Sequence, residues 1–367
     1  MKKIFKNKAL YFTVLLLSIM GLFYVYLSSS YSALTLFGNE KFFVIKHLIW
    51  LSVGLIGFHL VQFIPTKIII SLSKILYFIC LVLLIGAVLA KNFDFLDAFF
   101  PSKLGARRWF NMPSKYFGVE FGFQPAELLK LVYSILLPSF LANIKGGKQN
   151  ITKYLISFLL PVFLILMQPD FKSTLIIVAV GFSAVFFANY KIFTVLKVIS
   201  PVLIIITLLL FTSTHSFRRI QTFLGTGDTN SEYHTKQIKI AVASGGINGV
   251  GIGKSIQKQD YLPEVAGDSI FAIIAEETGF LGSIFVVSLL YFLLYQIYIS
   301  YKNCQDAYKK ITIGCIMVWY SSQIFLNIGS MLQVIPLTGV PLPLISYGGS
   351  SLVFFLISFG LVLKYGD

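Results

Sequence analysis

The chain has 367 residues, of which 56% are hydrophobic, 16% aromatic and only 12% charged; an average soluble domain is about 45–50% apolar and about 25% charged. A soluble fold has no interior large enough for this much Phe, Ile and Leu, so the composition demands a bilayer as solvent. The net charge of +15 arises from 30 Lys and Arg against 15 Asp and Glu, but the cations punctuate apolar runs instead of gathering into an arm, which fits membrane topology and excludes nucleic acid as a partner.

A spanning helix needs about 20 mostly apolar residues. Ten runs qualify, near 10–29, 42–64, 68–90, 126–143, 152–167, 171–189, 192–212, 269–300, 311–333 and 350–364. The first lacks the small-residue cleavage site of a removed signal peptide, so it is expected to stay as a span. The fifth is short, and the eighth is expected to begin outside the hydrocarbon. The expected fold is therefore all-α: one polytopic membrane domain over residues 1–367, with about ten transmembrane helices. The three cysteines, Cys80, Cys304 and Cys315, lie in or beside apolar runs without a CxxC pair. They read as small buried hydrophobes, not as a disulfide or zinc framework.

Lysines in short loops set the orientation. Lys2, Lys3, Lys6 and Lys8 put the N-terminus inside; Lys67, Lys145, Lys148, Lys153, Lys191, Lys302, Lys309, Lys310 and Lys364 then also fall inside. Both termini are expected to be cytoplasmic. Two outer stretches break the pattern. Residues 91–125 carry Arg107 and Arg108, and the large loop 213–268 between the seventh and eighth spans carries Arg218, Arg219, Lys254 and Lys258. Long loops translocate despite charge, so these cations mark either a site for an anionic ligand or an ordinary solvated loop.

Several stretches hold polar groups that a plain span does not need. In Gln124-Pro125-Ala126-Glu127-Leu128-Leu129-Lys130 the proline suits a first helical turn, and Glu127 is favoured there by the helix dipole. Lys130 follows on the same face, so a local ion pair is one reading. A functional pair at membrane depth is the other. Gln168-Pro169-Asp170 repeats the grammar, with Asp170 a helix cap or a site carboxylate. Gly253-Lys254-Ser255 mimics the end of a P-loop, but the first glycine would have to be residue 248, which is Asn248. Nucleotide binding is thereby excluded. Asp268 follows Gly267 and precedes an apolar helical run. It is either the cap of that helix or a carboxylate able to act as general base or to hold a divalent cation. Glu276 and Glu277 follow. Three prolines and three glycines within 336–349 forbid a continuous helix. Such backbone at membrane depth survives only inside protein or beside a wet cavity.

Gly105-to-Trp109, Phe123-to-Lys130, Gln168-to-Asp170, Tyr261-to-Gly282 and Gly339-to-Ser351, in this order and between these spans, resemble the SEDS family (shape, elongation, division and sporulation), whose branches include FtsW, RodA and SpoVE. The resemblance covers nearly the whole chain. Gly253-to-Lys258, Tyr261-to-Glu264 and Lys46-to-Trp50 look more like FtsW, and Thr338-to-Pro343 more like RodA; the balance leans to FtsW.

The resemblance implies a multi-pass protein of the bacterial cytoplasmic membrane that polymerises lipid II at the outer face, in division or elongation. It also implies a class B penicillin-binding protein, a transpeptidase, as partner beside the membrane lipids. Asp268 maps onto the essential acid. The resemblance maps Glu127, Lys130, Asp170 and either Arg107 or Arg108, not separable, onto the family's polar positions; with the loop cations Arg218 and Arg219 and the nearby Glu264 these form the expected substrate-binding set. No cofactor is implied beyond a divalent cation at Asp268. The chain departs from the family at Ala266-Gly267, where many members have His-Thr before the acid, and at Phe171-Lys172. A lipid II flippase and a non-catalytic scaffold for a transpeptidase remain open alternatives.

Overall fold

The computed structural model describes residues 7–102, 106–112, 121–142, 150–190, 200, 221–223 and 229–366. Among them the helices are α1 Lys8–Phe37, α2 Phe42–Phe63, α3 Thr66–Leu89, α4 Pro125–Leu141, α5 Ile151–Leu166, α6 Phe171–Phe187, α7 Thr229–Gly245, α8 Ile270–Asn303, α9 Ala307–Met331 and α10 Gly349–Tyr365. The strands are β1 Phe110–Met112 and β2 Phe121–Phe123, an antiparallel pair with Phe110 opposite Phe123. Nine of the ten expected spans coincide with described helices, eight to within a few residues and the first with a helix that runs on to Phe37; the seventh, 192–212, lies outside the described residues except for residue 200, and Gly105, Arg218 and Arg219 lie outside them too.

α1, α2, α3, α8 and α9 are long and apolar enough to cross a membrane, and α5, α6 and α10 are shorter apolar helices. Large side chains that water would not tolerate stand exposed along them, including Ile19, Ile75, Phe78 and Phe285. Rows of exposed Phe, Ile and Leu on such helices are what a lipid-facing surface requires. The protein is a polytopic, all-α membrane protein.

The chain forms two compact units, one from Met1–Gly57, Thr214–Ile299 and Tyr320–Phe359, the other from Phe58–Ser213, Ser300–Trp319 and Gly360–Asp367. In the second unit α4 is the central helix. All its residues from Pro125 to Pro138 are buried, and it packs chiefly on α3 and α6. The buried tyrosine hydroxyls of this core find backbone partners, as buried polar groups must: Tyr133 donates to the Phe158 carbonyl at 2.7 Å and Tyr154 to the Gly181 carbonyl at 2.8 Å. The segment after α3 is tied down by a small cluster in which Phe100 packs on Ala87 and Ala90, joined by Leu96, Phe99 and Phe110.

In the first unit, the stretch 213–268 is not loop throughout: α7 lies within it, burying Thr235, Ile238 and Ala241 on one face. The expected single span 269–300 is also interrupted. Gly279 within α8 has φ 65 and ψ −162, which breaks the helix. The break strands the carbonyls of Glu276 and Glu277 and the N–H groups of Phe280 and Leu281, which an unbroken helix would pair with each other. The glycine-rich segment after α7 satisfies all four. Val250 N–H donates to the Glu276 carbonyl at 2.9 Å and Gly251 N–H to the Glu277 carbonyl at 3.1 Å; Phe280 N–H reaches the Gly246 carbonyl at 2.9 Å and Leu281 N–H the Ile247 carbonyl at 3.2 Å. Such close backbone approach leaves no room for side chains. A Cβ on Gly249, itself at φ 80, would meet the Glu277 carbonyl, and one on Gly279 would meet the Gly249 nitrogen.

Candidate active site

In the second unit the two Gln-Pro-x helix starts meet. Gln124 precedes α4, and its Nε2 donates to Asp170 Oδ2 at 2.8 Å. Asp170 caps α6: its Oδ1 accepts from Ser173 N at 3.2 Å and its Oδ2 from Ser173 Oγ at 2.8 Å. The carboxylate is 2% exposed, and these donors compensate the burial of its charge. The cap reading of Asp170 holds, and the same carboxylate joins the two helix starts.

Glu127 sits in the first turn of α4, and Lys130 donates to its Oε1 at 2.5 Å. The pair is almost wholly buried, with Lys130 1% and Glu127 5% exposed. The local ion pair is real, yet incomplete: Glu127 Oε2 is buried without a hydrogen-bond partner among the described residues. A buried charge is seldom kept with half its lone pairs unserved, so this oxygen is a candidate contact for a ligand donor.

The structure separates the two arginines. Arg107 turns to Asp97 at 2.6 Å and to the Phe100 carbonyl at 2.9 Å, so it braces its own loop. Arg108 instead reaches the carbonyls of Gln168 at 3.3 Å and Pro169 at 2.8 Å, clamping the turn that delivers Asp170.

In the first unit, the Asp268 segment and the proline-glycine stretch 336–348 are held together. Asn327 of α9 is fully buried, and its Nδ2 donates both to the Asp268 carbonyl at 2.8 Å and to the Val340 carbonyl at 2.7 Å. Tyr347 N–H donates to the Ala266 carbonyl at 2.7 Å, while its ring packs edge-on against Phe43 of α2. Val340, Leu342, Leu344 and Ile345 are all buried, so this irregular stretch lies inside protein, as backbone of that kind at membrane depth requires.

Asp268 itself is partly exposed and stands two residues before α8. Its Oδ1 accepts from Ser269 Oγ at 3.4 Å. Glu264 is exposed and makes the turn beneath it: at φ 50, its carbonyl accepts from Gly267 N at 2.9 Å and Ser269 N at 3.3 Å.

The sequence reading gave Glu276 and Glu277 no role, and here they anchor the loop that leads to Asp268. Glu276 accepts from Ser255 Oγ at 2.5 Å and Ile256 N at 3.1 Å. Glu277 accepts from Lys258 Nζ at 2.9 Å, and Lys258 also reaches the Gly253 carbonyl at 2.7 Å. Ser255, at the end of the Gly253-Lys254-Ser255 string, thus joins Ile256 and Lys258 in clasping the two carboxylates. The sequence signal for it was the adjacency of two acids inside an apolar run.

Arg107, Arg108, Glu127, Lys130 and Asp170 belong to one compact unit, and Glu264 and Asp268 to the other.

The family model for FtsW, RodA and SpoVE, described as cell cycle proteins, matches residues 7–366. The chain belongs to this family. Two proteins named Probable peptidoglycan glycosyltransferase FtsW are similar along most of their length. The one from Wigglesworthia glossinidia brevipalpis is 30% identical, covering 99% of this chain and 94% of its own. The one from Coxiella burnetii is 31% identical, covering 89% and 87%. The peptidoglycan glycosyltransferase MrdB of Escherichia coli K12 is 29% identical over 86% and 83%. Among solved structures, a chain of a peptidoglycan synthase complex superposes with a TM-score of 0.75 at 23% identity, covering 98% of this chain and 97% of its own. The rod shape determining protein RodA of Thermus thermophilus gives 0.69 at 22% identity, covering 98% and 96%. These two share the fold with the SEDS-family chain described here.

Proposed function

We propose that this family member is a peptidoglycan glycosyltransferase that polymerises lipid II at the outer face of the membrane, its two units acting as one membrane domain. The observation that carries the reading is the full-length match to the FtsW/RodA/SpoVE family, together with an acid, Asp268, held at a helix entrance by Asn327.

In the proposed reaction the 4-hydroxyl of the acceptor sugar attacks C1 of the donor sugar. A β-1,4 bond forms, the bond to the lipid pyrophosphate breaks, and the hydroxyl proton passes to Asp268 Oδ as general base. The leaving pyrophosphate is a dense anion. Arg218, Arg219 and the Arg108 region are its proposed electrostatic partners, where reduced water strengthens each contact. Arg107, Glu127, Lys130, Asp170 and Glu264 are proposed to position the two substrates. Alternatively, Asp268 would position a divalent cation, whose preference is for carboxylate oxygens. It would neutralise charge on the leaving group. A class B penicillin-binding protein is proposed as the partner that crosslinks the strands. The test is polymerisation of labelled lipid II by purified protein, with and without that transpeptidase. Glycan that disappears in Asp268→Ala supports the proposal; lipid II that crosses the bilayer without polymerising favours transport instead.

A further inference from the structure

Asp268 is followed by a serine and approached by a histidine from elsewhere in the chain. His234 lies on α7, and its Nε2 is 3.1 Å from Ser269 Oγ. Ser269 Oγ in turn is 3.4 Å from Asp268 Oδ1. That second separation is long for an O–H···O bond, as hydrogen bonds of free enzymes often are before substrate tightens them. Ser269 is fully buried, so bulk water does not compete for its hydroxyl. Its backbone is fixed on both sides, the N–H donating to the Glu264 carbonyl and the carbonyl accepting from Ala272 N at 3.0 Å. The two residues before Asp268, Ala266 and Gly267, bring no side-chain donor of their own.

Proton counting gives this chain a direction. A hydroxyl has one proton, and an ionised carboxylate only accepts. The Ser269 proton therefore goes to Asp268, and Ser269 Oγ accepts from His234. The imidazole must then carry its proton on Nε2. The result is His234 Nε2–H to Ser269 O–H to Asp268 Oδ1, in which each donor polarises the next. Helix α7 is suited to present it: its Thr235, Ile238 and Ala241 face is buried, and the segment beyond its C-terminus is bonded into the break in α8.

We propose that His234 is a positioning residue for Asp268, acting through Ser269 to orient the carboxylate toward the acceptor hydroxyl. The inference rests on the reading of Asp268 as general base. The role requires a neutral donor at the Nε2 position, not a charge and not a proton acceptor.

The experiment measures kcat and KM for labelled lipid II on the purified full chain, with its transpeptidase where needed, for His234→Ala, His234→Gln, Ser269→Ala, the double variant and Asp268→Asn. Small misplacements of a reacting group cost up to about 100-fold. His234→Ala is expected to lower kcat about 10- to 100-fold at little-changed KM. Glutamine, whose amide nitrogen reaches where imidazole Nε2 does, is expected to restore kcat to within a few-fold. Ser269→Ala should match His234→Ala, and the double variant should be no worse than either. Equal inactivity of the glutamine and alanine variants would overturn the proposal, because a donor would then not suffice. Full kcat in His234→Ala beside an inactive Asp268→Asn would also overturn it, leaving the reading of Asp268 standing. An active Asp268→Asn would instead sink the general-base reading itself.

Discussion

Lys258→Met tests whether the clasp beneath the Asp268 loop is a real structural bond. Lys258 Nζ lies 2.9 Å from Glu277 Oε1, and the two side chains are 10% and 0% exposed. At an effective dielectric of about 20 the attraction at that distance is about 6 kcal/mol. The lysine recovers part of its hydration when the pair is undone, so removing it should cost about 3–5 kcal/mol, the usual penalty for leaving one buried charge uncompensated. Glu277 would be left with Ser255 N at 3.4 Å, and its Oε2 lacks a hydrogen-bond partner among the described residues. The assay is denaturant unfolding of the purified protein in detergent micelles, run as a double-mutant cycle with Glu277→Gln. Lys258→Met/Glu277→Gln should recover more than half of the loss, because neither charge is then stranded. Amide exchange across 253–258 should accelerate in the single variant alone. A loss below about 1 kcal/mol, or strictly additive single losses, would place the pair among surface-like ion pairs and refute the reasoning.

Gly279→Ala places a Cβ against Gly249 N in a residue at φ 65; the backbone term alone costs about 1–3 kcal/mol, so the variant should unfold at clearly lower denaturant than the wild type. Arg107→Ala should change stability by less than about 1 kcal/mol, since its partner Asp97 is half exposed. Arg108→Ala should lower lipid II polymerisation more than Arg107→Ala does, because it unclamps the turn bearing Asp170; equal activity of the two alanine variants would count against that distinction. Asn327→Leu should abolish polymerisation while the protein still inserts in the membrane, since it releases the carbonyls of Asp268 and Val340 together; wild-type turnover would show that this tether is dispensable.

The spans were readable because hydropathy over a bilayer-length window is a strong, local signal. α4 shows how far that signal reaches, since even its start at Pro125 and the Glu127–Lys130 pair followed from local helix rules. α7 was not readable: its buried stripe of Thr235, Ile238 and Ala241 is narrow and only weakly apolar. The break at Gly279 was hidden for another reason. A lone glycine in an apolar run is usually tolerated inside a helix, and here it breaks the helix because the 246–251 backbone is present to pair with the freed groups. The clamp of Arg108 is likewise a long-range bond, invisible to spacing, and the adjacent acids Glu276 and Glu277 signalled a site without naming Ser255 and Lys258 as their partners. Asp268 was singled out by sequence and resemblance, whereas its neighbours Asn327 and His234 come to it only through folding.

The most direct measurement is glycan formation from labelled lipid II by the purified chain with a cognate transpeptidase, comparing wild type with Asp268→Ala. The account predicts polymer from the wild type and none from the variant, with both proteins equally folded in the membrane. Polymer of normal length and yield from Asp268→Ala would contradict it.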